Sequence, residues 1–291
     1  MFIENYLKNI ETAIHENDIM KVLKEIKIAR ANFPFNTKVN KLIQKNKKIF
    51  SRKFYVNENE IYSIFNTLQT SEAIKKLQKF FLQNPNNALV NSILGNLYGF
   101  QNDFQKAQNF QEKAISLNPF DDIPYINLSK TFEKQGNFKA SLKILQFAEI
   151  INPQNYEIHI ALARAYYRTK NYIKSKESYE IVLKNHNTSN LKLEYCSKLL
   201  KLKETKKIFQ ILDTIKEEEC FIEKIILEGL VYFSEKKLDL AIEIFLKALK
   251  SNKKQNNILF SYLALCFEEK NEFNKALGYH EKAKKIKPEN D

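Results

Sequence analysis

The chain is short of the residues that interrupt or cross-link a fold. Its 291 residues include no tryptophan, five glycines, six prolines and three cysteines. So few helix breakers leave room for long uninterrupted helices, which tolerate this composition better than a turn-rich sheet does. Cys196, Cys220 and Cys266 are odd in number and far apart. They predict neither a disulfide framework nor a zinc knuckle, and they fit a reducing, cytoplasmic location.

Long apolar runs and chemical motifs are scarce as well. The most apolar stretches reach about half of the ~20 residues that a membrane span needs, so no membrane insertion is expected. The chain contains neither of two glycine-rich phosphate-binding motifs, G-x-x-x-x-G-K-[ST] and G-x-G-x-x-G. It also has no histidine pair spaced i, i+4 and no H-E-x-x-H. We therefore expect no cofactor, no metal and no enzymatic activity.

Positive charge, in contrast, is abundant. Lysine and arginine total 47 against 34 acidic residues, a formal net charge of +13. Such a surplus favours acidic partners, among them carboxylate-rich peptides, nucleic acids and anionic membrane surfaces. The alternative explanation is that much of this positive charge comes from lysines on solvent-exposed helix faces.

What the chain does contain is a repeat of about 34 residues. A small residue recurs in steps of 34, 34, 33, 33 and 35 at Gly95, Ser129, Ala163, Cys196, Gly229 and Ala264. A second series keeps the same register at Ala107, Ser141, Ser175, Ile208, Ala241 and Ala276, and so does a mostly aromatic one at Tyr98, Phe132, Tyr166, Leu199, Tyr232 and Phe267. Pro85, Pro119 and Pro153 are also 34 apart.

Within one repeat the spacing is helical. Leu94, Gly95 and Tyr98 share one stripe, Ala107 and Ala114 lie on a second helix, and a short polar turn separates the two. Each repeat is therefore predicted to be two antiparallel helices. The small residues mark where the helices cross, because a large side chain there would hold the two backbones apart. The proline ends the second helix, since it lacks an N–H and restricts the residue before it.

These landmarks resemble the tetratricopeptide repeat, whose outline is W-x₂-L-G-x₂-Y, then A-x₃-F, then a closing proline. The tryptophan position is occupied by Asn91, Tyr125, His159, Lys192, Ile225 and Phe260. The resemblance implies an all-α fold, a right-handed α-solenoid of stacked antiparallel helix pairs with about 7–8 repeats.

The expected organisation is one solenoid over residues 1–291. Divergent N-terminal helices occupy 1–53, including an extra helix from about Thr37 to Lys53, and regular repeats occupy 54–188. A degenerate repeat follows at 189–221, with Lys192 at the aromatic position and Ile208 at a small one, and two further repeats occupy 222–291.

The resemblance also implies where a partner binds, because the family's first helices line a concave groove. The positions one and five after each first-helix small residue face that groove, and their spacing of four puts both on one helix face. The candidate partner-binding residues at these positions are Asn96, Phe100, Lys130, Lys134, Arg164, Arg168 and Lys201. Tyr167 and Phe233 are added as apolar anchors, and Asn127 because the resemblance implies a binding asparagine there. Arg164 and Arg168 are two of only four arginines, and arginine offers a bidentate fork for carboxylate or phosphate.

Three functional hypotheses follow. The first is a non-catalytic scaffold that binds another protein or peptide, with acidic groups, in this groove. In that case, neutralising Arg164 and Arg168 weakens partner capture without loss of helicity. The second is a charge-driven nucleic-acid-binding protein, whose log K would fall with log salt by about 0.7 to 0.9 per phosphate contacted. The third rests on the resemblance alone: related bacterial arrays often precede a sulfotransferase or glycosyltransferase module, and this chain would be a stand-alone recognition part.

Overall fold

The computed structural model describes residues 3–16, 18–33, 36–52, 58–216, 220–251 and 256–285, and within these ranges the chain forms seventeen α-helices and no strand. The helices are α1 (Ile3–His15), α2 (Ile19–Asn32), α3 (Thr37–Arg52), α4 (Glu58–Thr67), α5 (Thr70–Gln83), α6 (Ala88–Phe100), α7 (Phe104–Leu117), α8 (Ile123–Lys134), α9 (Phe138–Ile151), α10 (Tyr156–Arg168), α11 (Tyr172–Leu183), α12 (Ser189–Lys201), α13 (Thr205–Leu212), α14 (Phe221–Ser234), α15 (Leu238–Ser251), α16 (Asn256–Glu269) and α17 (Phe273–Lys285).

The chain divides into two compact units, Met1–Ser178 and Tyr179–Asp291, and the division falls inside α11. In the first unit each helix from α5 to α10 packs against the next, and in the second unit the same holds from α12 to α17. The predicted all-helical fold of stacked helix pairs is therefore confirmed. The helix expected from Thr37 is α3, which ends at Arg52; Lys53 lies outside the described residues.

The small residues of the repeat lie where paired helices approach each other. All six first-helix positions and all six second-helix positions of the register are buried. A Cβ added at Gly95 would come within 2.6 Å of the Gln111 side chain, and one added at Gly229 within 2.4 Å of the Phe245 ring. Both pairs join the first helix to the second within one repeat, so glycine there sets how closely the two helices pack.

The turn inside each of the six repeats from residue 88 onward holds one residue in the left-handed region. These residues are Asn102, Gly136, Lys170, Lys203, Lys236 and Asn271, with φ between 56° and 76°. The residue that follows each one donates its N–H to the carbonyl of the ring-series residue; Asn171 N to Tyr166 O is 2.8 Å and Lys237 N to Tyr232 O is 2.9 Å. This six-to-one bond closes a helix C-terminus. The ring-series residue thus ends the first helix through its backbone.

A polar side chain performs one recurring task at the tryptophan position. Asn91 Nδ2 donates to Pro85 O at 2.9 Å, and Tyr125 Oη donates to Pro119 O at 3.0 Å. His159 Nε2 lies 2.7 Å from Pro153 O, so Nε2 carries the ring proton. The three donors reach the carbonyl six residues earlier, where the proline has ended the previous helix. An amide, a phenol and an imidazole therefore do the same work in successive repeats.

The degenerate repeat keeps its core but has a short second helix. Ile208 is fully buried at the small position, and α13 has only eight residues and no side-chain N-cap bond. The assignment of residues 189–221 to a degenerate repeat stays a prediction, and residues 217–219 lie outside the described ranges.

The N-terminal helices pack sideways, which the sequence did not predict. Helices α1 to α3 share an apolar core with Phe120 and Ile151, residues that belong to the regular repeats. The Arg30 guanidinium donates to the carbonyls of Ile150 and Ile151 at the end of α9, which bear the negative end of that helix dipole. These contacts attach α2 directly to α9.

A buried carboxylate also contacts α3, and it attaches the N-terminal lobe, helices α1 to α3, to the regular repeats. Asp122 has a side chain only 5% exposed, and its Oδ1 lies 3.1 Å from Lys47 Nζ. Asn152 and Asn155 donate to its Oδ2 at 3.0 and 2.7 Å. Burial alone would raise the pKa of Asp122, but the Asn155 hydrogen bond, the Lys47 charge and the Asn152 hydrogen bond together hold it below its usual value.

The glycine contacts predict opposite effects for two substitutions in the second unit. Gly229→Ala should lower the free energy of unfolding by about 2–3 kcal/mol, because the Phe245 ring is fully buried and has no room to move. Gly278→Ala should raise it by about 0.5–1 kcal/mol, since a Cβ there meets nothing within 4 Å in the middle of a helix. Urea unfolding followed by circular dichroism measures both. Equal effects of the two substitutions would contradict the packing role of Gly229.

The Asp122 contacts predict a pH-dependent N-terminal lobe. A folded-state pKa below the unfolded value of ~3.9 gives stabilisation that is present above that pH and lost as the pH falls through the folded pKa. Amide exchange in α1 to α3 should therefore speed up below about pH 4, after correction for intrinsic rates, before exchange in α6 and α7 does.

The matched substitutions are Asp122→Asn and Asp121→Asn. Asp122→Asn should raise the opening rate of α1 to α3 at neutral pH by about ten-fold or more, since hydrogen bonds to a charged group contribute ~1.5–3 kcal/mol. The Asp121 side chain is 20% exposed, and of the three side chains that contact Asp122 it meets only Lys47. Asp121→Asn should therefore have the smaller effect. If the two variants behave alike, Asp122 does not anchor the lobe.

Candidate functional site

The first helices of three successive repeats present matching positions. Asn96 and Phe100 lie on α6, with Lys130 and Lys134 one repeat later on α8 and Arg164 and Arg168 one repeat further on α10. Except for half-buried Asn96, all of these residues are exposed. The buried small residue that precedes each pair fixes which way the helix turns, so the pair points away from the hairpin core.

A depression lies between α6 and α8 and brings five of the predicted residues together. Its lining contains Asn96, Phe100, Asn127, Lys130 and Lys134. Its cavity volume is about 60 Å³, and the Phe100 ring beside it is 61% exposed. Amide, ammonium and aromatic groups therefore converge on one small surface recess.

Glycines and a threonine complete the lining, and the sequence interpretation had not assigned them to the site. Gly95, Gly99 and Thr131 form part of the recess. An added Cβ at Gly99 would lie 3.9 Å from the Ala107 Cβ on α7, an ordinary van der Waals distance. The available signal was the spacing of four between the two glycines, which puts both on one face of α6.

Two of the predicted cations are held by contacts within the chain. Lys134 Nζ donates to Gly99 O at 3.1 Å and lies 5.8 Å from the centre of the Phe104 ring. The Arg168 guanidinium lies 5.6 Å from the centre of the Phe138 ring. Each cation thus covers the aromatic residue that opens the second helix of the preceding repeat, an arrangement that favours positive charge over the ring face.

Lys130 differs from these two. Across the described residues its ammonium makes no hydrogen bond and no ion pair, and it reaches the solvent beside the recess. Its electrostatic neighbour is Glu133, one turn along α8. Burial raises the pKa of the Glu133 carboxyl, while the Ser141 hydroxyl and the charges of Arg164, Arg168 and Lys130 oppose that rise without cancelling it.

The remaining predicted residues lie elsewhere. Tyr167 is half-buried, and its ring meets the Tyr172 ring edge-on at 5.4 Å. Lys201 is exposed in the last turn of α12, and Phe233 is half-buried on α14. Lys201 and Phe233 both belong to the second compact unit, and none of these three residues lines the recess.

The described residues offer few groups suited to covalent or metal chemistry. Burial raises the pKa of the Cys196 thiol to about 12, and burial followed by the Glu269 charge raises that of Cys266 to about 11, so both thiols stay protonated. His159 is buried, whereas His280 is exposed and its Nε2 lies 2.8 Å from Glu268 Oε1. In the described part of the chain no three His, Cys, Asp or Glu side chains gather as a metal site would require.

One further property bears on membranes. No helix among the described residues combines the length and the apolar character needed to cross a bilayer.

Comparison with known proteins agrees with this architecture. The tetratricopeptide repeat family model matches residues 90–121 and 226–255, the two repeats whose first helix has glycine opposite a large buried side chain. No curated protein matches the chain.

Three solved structures are similar to this chain. The Cut9–Hcn1 hetero-tetramer of the APC/C is 15% identical over 98% of this chain, with a TM-score of 0.55; this chain spans about half, 53%, of that one. A tetratricopeptide repeat protein from Parabacteroides merdae ATCC 43184 is 13% identical, covering 91% of this chain and 98% of its own, with a TM-score of 0.48. MamA from Desulfovibrio magneticus RS-1 is 18% identical, covering 56% and 93%, with a TM-score of 0.47. The family match at these two places, together with the helix pairs and the 34-residue landmarks, identifies tetratricopeptide repeats in the chain.

Proposed function

We propose that the chain is a non-catalytic interaction scaffold that binds an acidic peptide segment of another protein at the recess between α6 and α8. The observation that carries the proposal is the meeting of a largely exposed aromatic ring, Phe100, with the ammonium of Lys130 at one recess. Tetratricopeptide repeats commonly serve as protein-interaction scaffolds, which agrees with this role.

The chemistry of the lining supports a peptide as the ligand. Lys130 is available to pair with a carboxylate, and Phe100 offers an apolar surface for a neighbouring side chain of the peptide. Asn96 and Asn127 carry amides that can donate to and accept from a peptide backbone. At about 60 Å³ the recess is well below the ~300–1,000 Å³ of small-molecule sites, so it suits one side chain of a longer ligand.

Charge alone would also attract nucleic acid, and the recess argues for the peptide. Sequence-independent binding to a single strand relies on cationic grooves and on aromatic rings on which successive bases stack. The recess has one exposed ring, and two of the nearby cations already cover internal rings. We therefore keep oligonucleotide binding as an outcome of the test.

The proposal predicts two losses of different size. Phe100→Ala should weaken binding of a synthetic peptide containing acidic and apolar residues by about ten-fold, since truncating a central aromatic anchor typically costs more than 1 kcal/mol. Lys130→Gln should weaken it by about two- to five-fold, because an exposed ion pair is worth ~0.2–1 kcal/mol. Fluorescence anisotropy of the labelled peptide measures both.

The control is Lys139→Gln, which removes one charge from an exposed position on α9, away from the recess. It should leave affinity unchanged, and all three variants should keep the circular dichroism of the parent protein. An oligonucleotide that binds more tightly than the peptide, with log K falling by about 0.7 to 0.9 per phosphate contacted, would refute the peptide role.

A further inference from the structure

The positive charge of the chain is concentrated in one short stretch. Residues 20–53 contain eleven lysines and arginines and one acidic residue, Glu25, a net charge of +10 within the +13 of the whole chain. The other 257 residues together have a net charge of +3. Helices α2 and α3 of the N-terminal lobe occupy most of this stretch, so the surplus of positive charge belongs mainly to that lobe.

Four cations of this stretch have partners in the described part of the chain. Arg30 and Lys47 attach the lobe to the regular repeats. Lys21 and Lys38 form ion pairs with nearby carboxylates, at 2.7 and 2.6 Å. These contacts neutralise only part of the charge of the stretch.

Four lysines of the lobe lie in solvent without such partners. Lys24 and Lys27 are exposed on α2, and Lys41 and Lys45 are exposed on α3. Across the residues that the structure describes, none of these four ammonium groups forms a hydrogen bond or an ion pair. Residues three and four apart on a helix are neighbours on its surface, so each helix presents its two lysines on one side.

An apolar side chain shares the outer side of α2 with its lysines. Met20 is 58% exposed, and it lies four residues before Lys24 and seven before Lys27. This spacing keeps all three residues on one stripe of the helix. The apolar sides of α1 to α3 are packed in the core of the lobe. A partner therefore meets the charges of these helices and one apolar side chain, and no whole helix is available to insert into a bilayer.

We infer that the exposed lysines of α2 and α3, together with Met20, bind the anionic headgroups of a phospholipid surface. Clusters of about four to eight basic side chains are typical of proteins that bind anionic lipids, and each cation near the surface adds to the attraction. None of these residues lines the recess between α6 and α8, so the inference does not depend on the proposed function.

Three features favour lipid over nucleic acid as the partner. The four cations are lysines, which act as point charges, whereas arginine has the planar fork that suits a phosphate backbone. A single strand would need an exposed ring for its bases, but Tyr6 and Phe33 of the lobe are half-buried and meet edge-on at 5.9 Å. Met20 would also find an apolar layer beneath lipid headgroups, which a sugar–phosphate backbone does not offer.

Sedimentation with vesicles tests the inference on the full chain. Vesicles of phosphatidylcholine with about 30% phosphatidylserine should pellet the protein at about 0.1 M salt, where charges act over ~10 Å. Raising the salt to about 0.5 M should release the protein, because the Debye length shortens. Vesicles of phosphatidylcholine alone should not bind it, and equal binding to both kinds of vesicle would overturn the inference.

Paired substitutions test the assignment to these lysines. Lys41→Gln/Lys45→Gln should lower the partition coefficient on the anionic vesicles by about ten-fold or more, since each cation near the surface contributes to the attraction. The matched control, Lys139→Gln/Lys143→Gln, removes two exposed charges with the same spacing of four from α9. It should lower the coefficient by less than about two-fold, because distant charges are screened. Equal losses in the two variants, with unchanged circular dichroism, would overturn the assignment.

Met20 separates a lipid partner from a nucleic acid. Met20→Ser should weaken vesicle binding by about two- to five-fold, since the apolar side chain no longer leaves water. The same substitution should leave the binding of a duplex oligonucleotide unchanged. A duplex that displaces the protein from the anionic vesicles at equal phosphate concentration would overturn the choice of lipid.

Phe100→Ala keeps this inference apart from the proposed function. It should leave vesicle binding unchanged while it weakens binding of the acidic peptide. If the vesicles fail to bind and the peptide still binds at the recess, only the lipid inference is overturned. If the vesicles bind and the peptide does not, only the proposed function fails.

Discussion

The structure depends on the close approach of two helices at a small side chain. At Gly229 the second helix brings the Phe245 ring so near that even a methyl group would overlap it, and the same holds for Gln111 at Gly95. At that distance the first helix can adopt only one orientation about its own axis, the one that turns its small residue toward the second helix. The residues one and five positions later must then face outward, so packing inside a hairpin determines which side chains of the first helix are exposed.

A second constraint determines the residue at which the first helix of a repeat ends. Each of the six hairpin turns from residue 88 onward uses one residue with positive φ; this residue is glycine at Gly136, and the other five of these turns accept lysine or asparagine at the cost of a strained backbone. The bond from the next N–H back to the ring-series carbonyl repeats in every turn. Because the turns and the helix crossings keep the same period, exposed residues such as Lys130 and Arg164 recur in register from one repeat to the next.

Much of this could be predicted from the sequence, because a solenoid's contacts are local and leave a periodic mark. The period placed the small residues, the rings and the paired cations on the correct helices. The sideways packing of α1 to α3 could not be predicted, since it joins Arg30 and Lys47 to residues that are about 75 to 120 positions away and follow no repeat. The same limit applies to the site: periodicity identified Lys134 and Arg168, and it gave no sign that each covers an aromatic ring.

A double-mutant cycle between Gly229 and Phe245 tests the central claim most directly. If the glycine is required because the ring occupies the space of its Cβ, Gly229→Ala should cost stability in the parent protein and almost nothing in a Phe245→Ala background. The coupling free energy from urea unfolding should then be about 2 kcal/mol. Additive effects of the two substitutions would show that the helices do not depend on this contact, and the account of the hairpin would be wrong.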